Sequence, residues 1–372
     1  MGNDVFISLP TGSGKSLCYW ILPKAFDNLY NTSGSLVIVI SPLISLMKDQ
    51  VEAIRTRGIT AVYSESLLCN LEWRDMLQSP VFADKLVAFV IDEAHCVKKW
   101  GTEFRREFSN LVEVRSLIPA SVHIMALTAT ATLSSRTAIC QILSMVNPTV
   151  VSVSPNKPNI KYHVNRKEGD IEETFAPIVE EVRSCRLSMD RVIIFCRSYD
   201  DVAHIYLFLK NGIGCENVEP IGAPDLAKFR LVDMFTACTV PNVKECIIKS
   251  FTNVTSPLKI VVATVAFGMG LDCSNIRRII HWGPPNDIES YIQETGRAGR
   301  DGKKATATLY YNGNDFKFDR VDVSMKEYCK NIDTCRRTLL LRDFDQTGKL
   351  SIGNCKCCDI CTSVCKCILC SQ

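Results

Sequence analysis

Near the start of the chain, Leu9-Pro10-Thr11-Gly12-Ser13-Gly14-Lys15-Ser16 places two glycines, a lysine and a terminal hydroxyl in one short loop. The apolar run Val5-Phe6-Ile7 precedes it, and Leu17–Leu22, which can open a helix, follows it. A strand, a glycine-bearing loop ending in Lys-Ser and a helix together make a phosphate cradle. Gly12 and Gly14 let the backbone curl so that successive N–H groups face one anion, and the helix N-terminus adds partial positive charge. Lys15 can then reach the β- and γ-phosphates of a nucleotide, and the Ser16 hydroxyl can hold Mg²⁺. Leu9 stands where the longer consensus has its first glycine. The bland alternative is a glycine-rich turn with an incidental lysine.

A second chemistry-bearing stretch begins where Val87–Ile91 runs into Asp92-Glu93-Ala94-His95. Carboxylates at the carboxyl end of a buried strand are where an α/β sheet places ligand chemistry. Asp92 suits Mg²⁺ held through its water shell, and Glu93 suits orientation of a water attacking the γ-phosphate in line. His95 reads as a coupling residue rather than a base. Immediately beyond, Trp100, Phe104 and Phe108 are interleaved with Lys98, Lys99, Arg105 and Arg106. Such a loop offers stacking platforms and phosphate contacts to a single strand of nucleic acid; a packed hairpin is an equal alternative. Leu127–Thr132 sets small hydroxyl residues at a strand end, suited to relaying movement.

Of 19 cysteines, nine lie between Cys329 and Cys370. Cys355, Cys358 and Cys361 have Cys-x-x-Cys-x-x-Cys spacing, and Cys335 can supply a fourth thiolate to a tetrahedral zinc site. Cys329 and Cys357 compete for places in that set. Cys365, Cys367 and Cys370 read as a ragged end rather than a second metal cluster.

The elements that must carry these residues alternate along the chain. Leu36–Ile40, Leu86–Ile91 and Val122–Leu127 read as buried strands, with helical spacing over Ser41–Arg57 and Thr132–Met145. That pattern suits a parallel sheet covered on both faces. Prolines in Ser154–Asn159 break the pattern and mark a linker. A second α/β region follows, with strands at Arg191–Cys196, Lys259–Ala263, Arg278–His281 and Ala305–Tyr310. Its helices are expected over Ile171–Ser184, Asp200–Lys210 and Ile288–Glu294. The expected domains are residues 1–153, 154–314 and, helical then cysteine-rich, 315–372. The 372 residues carry a formal charge of +3, too mild to prove or exclude a nucleic-acid partner. Without a secretory pattern at the N-terminus or an apolar run long enough to span a bilayer, an intracellular protein with no membrane partner is expected.

Taken in order, LPTGSGKSLCYW, SPLISLMKDQ, IDEAHCVKKWGTEFRREF and MALTATAT resemble the first motor lobe of the RecQ family of DNA helicases. The DEAH tetrapeptide alone fits many superfamily 2 helicases; DEAHC followed by the Trp-Gly…Phe-Arg loop is much narrower. Ile193–Ser198, Val261–Asp272 and Gln293–Gly302 are similar to motifs of that family's second lobe. The tail, Cys-Arg-Arg followed by Cys…Cys-Asp-x-Cys, is similar to its zinc module. The resemblance implies an α/β protein of two tandem RecA-like parallel-sheet lobes followed by a small helical zinc-binding module. It implies an ATP-dependent 3′-to-5′ DNA helicase acting in recombination and repair, with ATP, Mg²⁺ and Zn²⁺ as cofactors. DNA with single-stranded regions is the implied partner, in the nucleus if the source is eukaryotic and in the cytoplasm otherwise. On this footing Thr11, Gly12, Ser13, Gly14, Lys15 and Ser16 bind ATP, and Ser16 and Asp92 hold Mg²⁺. Lys15, Asp92 and Glu93 are catalytic. Arg300 is the arginine finger, with Gln293 and Arg297 contacting nucleotide or coupling residues. Trp100, Phe104, Arg105, Phe108, Arg197 and Thr264 contact DNA, the aromatic loop coupling strand binding to hydrolysis. Cys335, Cys355, Cys358 and Cys361 bind zinc.

The sequence departs from the family in three places. Only eight residues precede Leu9, leaving no room for the segment that reads adenine. Only 41 residues separate Gln50 from Asp92, where the family has a longer stretch with one more strand. Asn211–Asn253 lacks the usual Tyr-His-Ala-Gly segment, and Asp233–Ala237 stands near its place. The first sheet is therefore expected to lack an edge element, and at the widest a central strand, and to be weakly stable. Two alternatives stay open: a catalytically impaired nucleic-acid-binding fragment, and an RNA helicase of the same superfamily.

Overall fold

The computed structural model describes residues 3–42, 44–64, 71–98, 115–119, 121–264, 267, 273, 275–317, 320–344 and 356–365. Its contacts divide the chain into two compact units, Met1–Pro155 with Asp343–Lys349, and Asn156–Arg342 with Leu350–Gln372. No described helix is long and apolar enough to cross a membrane.

The first unit is built on five parallel strands: β1 (Val5–Ser8), β2 (Leu36–Ile40), β3 (Leu86–Ile91), β4 (His123–Thr128) and β5 (Thr149–Ser152). They lie in the order β2-β3-β4-β1-β5. Successive strand residues point to opposite faces, so each apolar run feeds two cores at once. Phe6, Phe89, Ile91 and Ile124 pack on one side with Ile139, and Ile7, Val90 and Leu127 pack on the other with Tyr19. The layers above and below come from α1 (Lys15–Trp20), α2 (Leu22–Tyr30), α3 (Ile44–Arg55), α4 (Leu71–Gln78), α5 (Pro80–Lys85) and α6 (Leu133–Ile142). Thr132 caps α6 by accepting from the Ser135 amide, so the helix begins where the small hydroxyl residues end.

The short interval between Gln50 and Asp92 opens no gap inside this sheet. β2 pairs directly with β3 through Ile40 opposite Ile91, and no described strand pairs with its other side. The feared loss of a central strand is corrected: the shortening leaves β2 at an edge.

The second unit holds six parallel strands, β6 (Ile160–Arg166), β7 (Arg191–Cys196), β8 (Val232–Phe235), β9 (Ile260–Ala263), β10 (Ile276–Trp282) and β11 (Ala305–Tyr311). Their order is β6-β11-β10-β7-β9-β8. β7 and β9 are buried at every position, as central strands of a covered sheet must be. Around them lie α7 (Ile171–Cys185), α8 (Tyr199–Ile213), α9 (Pro241–Thr252) and α10 (Ile288–Thr295). Asp170, Ser198 and Asp287 cap α7, α8 and α10 with their side chains. β8 lies on the stretch that departs from the usual Tyr-His-Ala-Gly pattern, and it forms an edge strand.

Three C-terminal helices follow, α11 (Val323–Lys330), α12 (Arg336–Leu341) and α13 (Asp359–Ser363); α13 packs onto the β6 edge of this unit, and α11 packs against α12. The Val164 amide donates to Asp359, and Tyr162 bridges to Cys358. The segment read as a linker is also tied down. From Asn156 onward it belongs to the second unit, and its polar side chains are bonded there.

Candidate nucleotide site and cysteine centre

The loop from Leu9 to Lys15 leaves the carboxyl end of β1. Gly12 and Gly14 adopt φ of +86° and +78°, left-handed values that a side chain would strain, and Gly14 is the residue before α1. Lys15 arches back over its own loop, donating to the carbonyls of Leu9 at 3.0 Å and Pro10 at 3.4 Å. Ser16 and Tyr19 share one face of α1, three residues apart.

Asp92 follows β3, two strands away from β1, and three donors fix its carboxyl. Tyr19 donates at 3.1 Å and Gln50 at 3.0 Å to Oδ2, while the Glu93 amide reaches Oδ1 at 2.9 Å. The phosphate-loop helix and α3 thus meet on one buried acid. Burial, and then the adjacent Glu93 charge, push the Asp92 pKa up. A cation at this carboxyl would relieve both. Glu93 itself has φ of +50°, an unusual value for a residue with a side chain, held by the Asp92 bond. Backbone strain of this kind collects at working sites.

His95 joins the acids to the next strand end. Its Nδ1 lies 3.3 Å from Glu93 Oε2 and 3.2 Å from Thr128 Oγ1, and Thr128 donates onward to the Thr130 carbonyl. Burial alone would lower the His95 pKa, but the Cys96 sulfur and the Glu93 carboxylate outweigh it and raise it. This is the arrangement of a relay, with no exposed base.

In the first unit Lys15 and Ser16 open α1, whose Tyr19 reaches Asp92 beside Glu93. In the second, Arg197 and Thr264 leave the carboxyl ends of the paired strands β7 and β9, where Phe195 stands opposite Ala263. Arg197 donates to the Asp315 carbonyl at 2.7 Å. Gln293 lies on α10, and Arg297 and Arg300 lie in the loop that follows it, all three half-buried. Trp100, Phe104, Arg105 and Phe108 lie outside the described residues. Sequence reasoning missed Tyr19 and Gln50. Tyr19 could have been found from its spacing, because three residues after Ser16 puts it on the same face of the helix.

Three members of the expected cysteine set, Cys335, Cys358 and Cys361, come together with Cys357. The sulfurs of Cys335, Cys357, Cys358 and Cys361 lie within 4.8 Å of one another. Cys355 lies outside the described residues, and Cys357, a competitor in the sequence, joins the group. Four thiolates at about 2.3 Å from one zinc ion are about 3.8 Å apart, so the cluster fits such an ion. Backbone and side-chain donors also point at the sulfurs: the Cys361 amide at Cys358 and Arg337 Nε at Cys357, both at 3.4 Å. Such outer donors hold thiolates in place and in charge.

Comparison with known proteins converges on this arrangement. Residues 1–139 match the DEAD/DEAH box helicase family and residues 173–302 the helicase conserved C-terminal domain. The cysteine centre falls within residues 320–362, which match the RecQ zinc-binding family. An ATP-dependent DNA helicase RecQ of Pasteurella multocida is 33% identical over 407 residues, covering 97% of this chain. The chain belongs to the RecQ family. It spans 58% of the length of that Pasteurella relative. Another relative, named a putative ATP-dependent RNA helicase of Acanthamoeba polyphaga mimivirus, is 31% identical over 98% of this chain and 67% of its own length. The two-lobed RecA-like fold recurs in Saccharomyces cerevisiae Dbp5 bound to RNA and ADP BeF3. That match has a TM-score of 0.61 at 17% identity, covering 89% of this chain and 84% of Dbp5.

Proposed function

We propose that this RecQ-family chain hydrolyses ATP and couples the reaction to 3′-to-5′ movement along single-stranded DNA, unwinding duplexes during recombination and repair. The observation that carries the reading is the buried Asp92, held by Tyr19 of the phosphate-loop helix and Gln50 of α3 beside the strained Glu93. Thr11, Gly12, Ser13 and Gly14 would wrap the phosphates, and Lys15 would leave its carbonyl partners for the β- and γ-oxygens. Mg²⁺, held by Ser16 and by Asp92 through water, would neutralise charge building between those phosphates. Glu93 would orient the attacking water. Arg300, with Arg297 and Gln293 beside it, would offset charge on the transferring group. Arg197 and Thr264 at the strand ends, and Trp100, Phe104, Arg105 and Phe108 in the aromatic loop, would hold the DNA. Zinc at Cys335, Cys357, Cys358 and Cys361 would supply folding free energy to the C-terminal helices.

The RecQ zinc-binding match and the Pasteurella relative favour DNA over RNA; the mimivirus relative's printed name gives RNA its standing as second reading. The deciding experiment measures ATP hydrolysis by the purified chain with no nucleic acid, with single-stranded DNA and with RNA. DNA is expected to stimulate most, and Lys15→Ala to return the rate to background. Hydrolysis that survives Lys15→Ala, or stimulation by RNA alone, would refute the reading. A folded chain that binds DNA without turnover would establish the impaired fragment.

A further inference from the structure

The loop bearing the two arginines is held from outside by a segment far away in sequence. Gly296, Gly299 and Lys303 each present a carbonyl to residues 156–160. Lys157 Nζ donates to Gly296 O at 2.5 Å. Asn159 Nδ2 donates to Gly299 O at 2.9 Å and to Lys303 O at 2.7 Å. The Ala305 amide closes the far end of the loop on the Asn159 carbonyl at 2.9 Å. Between these anchors lie Arg297 and Arg300.

The segment is gripped in turn from its other side. Arg337, 5% exposed, donates from Nη1 to Asn156 Oδ1 at 2.6 Å and Lys157 O at 2.7 Å, and from Nη2 to Ile160 O at 2.6 Å. Its Nε faces Cys357 Sγ. A planar fork with every arm engaged leaves residues 156–160 little freedom to drift. A continuous line of contacts therefore runs from the cysteine centre through Arg337 to the arginine loop.

We propose that Lys157 and Asn159 are positioning residues for Arg297 and Arg300, acting as a strap that Arg337 fastens to the cysteine centre. This rests on the reading that these arginines offset charge on the transferring phosphoryl group. Charge stabilisation of that kind depends on donors fixed before the reaction, because a group that must be ordered during the reaction loses part of its effect. Lys157 adds a third cation beside the two arginines. Its pKa is lowered to about 8 by burial first and then by Arg300 and Arg297. That crowding of like charge is relieved when an anion enters, which suits a loop built to meet phosphate.

The test uses the full zinc-loaded chain. In Asn159→Ala, kcat for DNA-stimulated hydrolysis is expected to fall about tenfold, with KM for ATP and DNA affinity within about twofold of wild type. Repeated in an Arg297→Ala, Arg300→Ala background under single-turnover conditions, the same substitution is expected to cost nothing further, because the strap acts through those two groups. An equal loss in both backgrounds, or none in either, overturns the proposal. Limited trypsin cleavage after Arg297 and Arg300 gives a readout that needs no turnover, so it stands even if the chain hydrolyses no ATP. Cleavage there is expected to quicken at least about fivefold in Asn159→Ala and in Arg337→Lys, with thermal stability within a few degrees of wild type. Unchanged cleavage in both variants refutes the strap whatever the fate of the helicase reading.

Discussion

His281 of β10 and Glu294 of α10 form a deeply buried acid–imidazole pair in the second unit, and removing one partner should be costly. Nε2 and Oε2 are 2.8 Å apart, with the side chains 2% and 5% exposed. The imidazole also stacks on Phe195 at 5.3 Å and packs against Tyr291 at 5.0 Å between ring centroids. His281→Phe keeps that packing and deletes only the polar contact. Neither His281 Nδ1 nor Glu294 Oε1 has another partner among the described residues, so no existing bond shares the loss. Breaking such a pair costs about 3–5 kcal/mol, and for a unit of this size each 1 kcal/mol shifts Tm by about 2–4 °C. The transition of the second unit should therefore fall by roughly 6–20 °C in calorimetry of the full chain. His281→Phe combined with Glu294→Leu, which removes both polar ends, should recover most of the loss, to within about 1 kcal/mol of wild type. A double variant no more stable than the single one, or a single variant within about 2 °C of wild type, would refute the argument. Because α10 also carries Gln293, the single variant should slow DNA-stimulated hydrolysis.

Glu93→Gln should leave nucleotide binding intact and reduce single-turnover hydrolysis by at least about a hundredfold, since it removes the group orienting water while keeping its size. Burial pushes the Cys329 thiol up, and among the described residues it stands outside the cluster of Cys335, Cys357, Cys358 and Cys361. Metal analysis should accordingly find one zinc per chain in Cys329→Ser and a large loss in Cys357→Ser. Lys157 has a folded pKa of about 8 against an ordinary value of 10.5. The unfolded chain then binds more protons between these values, so the lysine's penalty is full below about pH 8 and relieved by about pH 10.5. Across that window wild-type stability should gain on Lys157→Met in urea titrations, and parallel curves would count against the assignment.

The central strands could be read from the sequence because burial on both faces demands unbroken apolar runs, as in Val192–Cys196 and Val87–Ile91. Edge β2 was still legible as the apolar run Leu36–Ile40, but the edge strands β5 and β6 gave a different signal. β5 is mostly exposed, while β6 alternates Ile160 and Tyr162 inward with Lys161 and His163 less buried, so neither shows a solid apolar block. In the site, Lys15, Asp92 and Glu93 stood out because their chemistry is local to one turn or loop. Gln50 acts only after folding brings it to Asp92, and nothing in its own neighbourhood announces it; Tyr19 is marked only by its spacing from Ser16. Cys357 was ambiguous for a related reason. Several cysteines crowd an irregular turn, and spacing alone does not say which sulfur faces inward. Asn156–Asn159 was read through its prolines as a breaker, whereas its amide and ammonium side chains carry the function proposed for it.

Gly299 has a consequence for how this chain can vary. With φ of +57°, it would bring an added Cβ to 2.3 Å from Asn159 Nδ2 and 2.8 Å from the Lys303 carbonyl. A larger residue there would collide with its structural neighbour whether or not phosphate ever arrived. A smaller residue at 159 would clear one of those clashes but leave the carbonyls of Gly299 and Lys303 without their shared donor. Positions 159 and 299, 140 residues apart, are therefore poor candidates for independent drift. Inheritance would have to change them together, and most joint changes would still meet the left-handed backbone. A glycine between two arginines is thus kept in part by an asparagine far away in sequence.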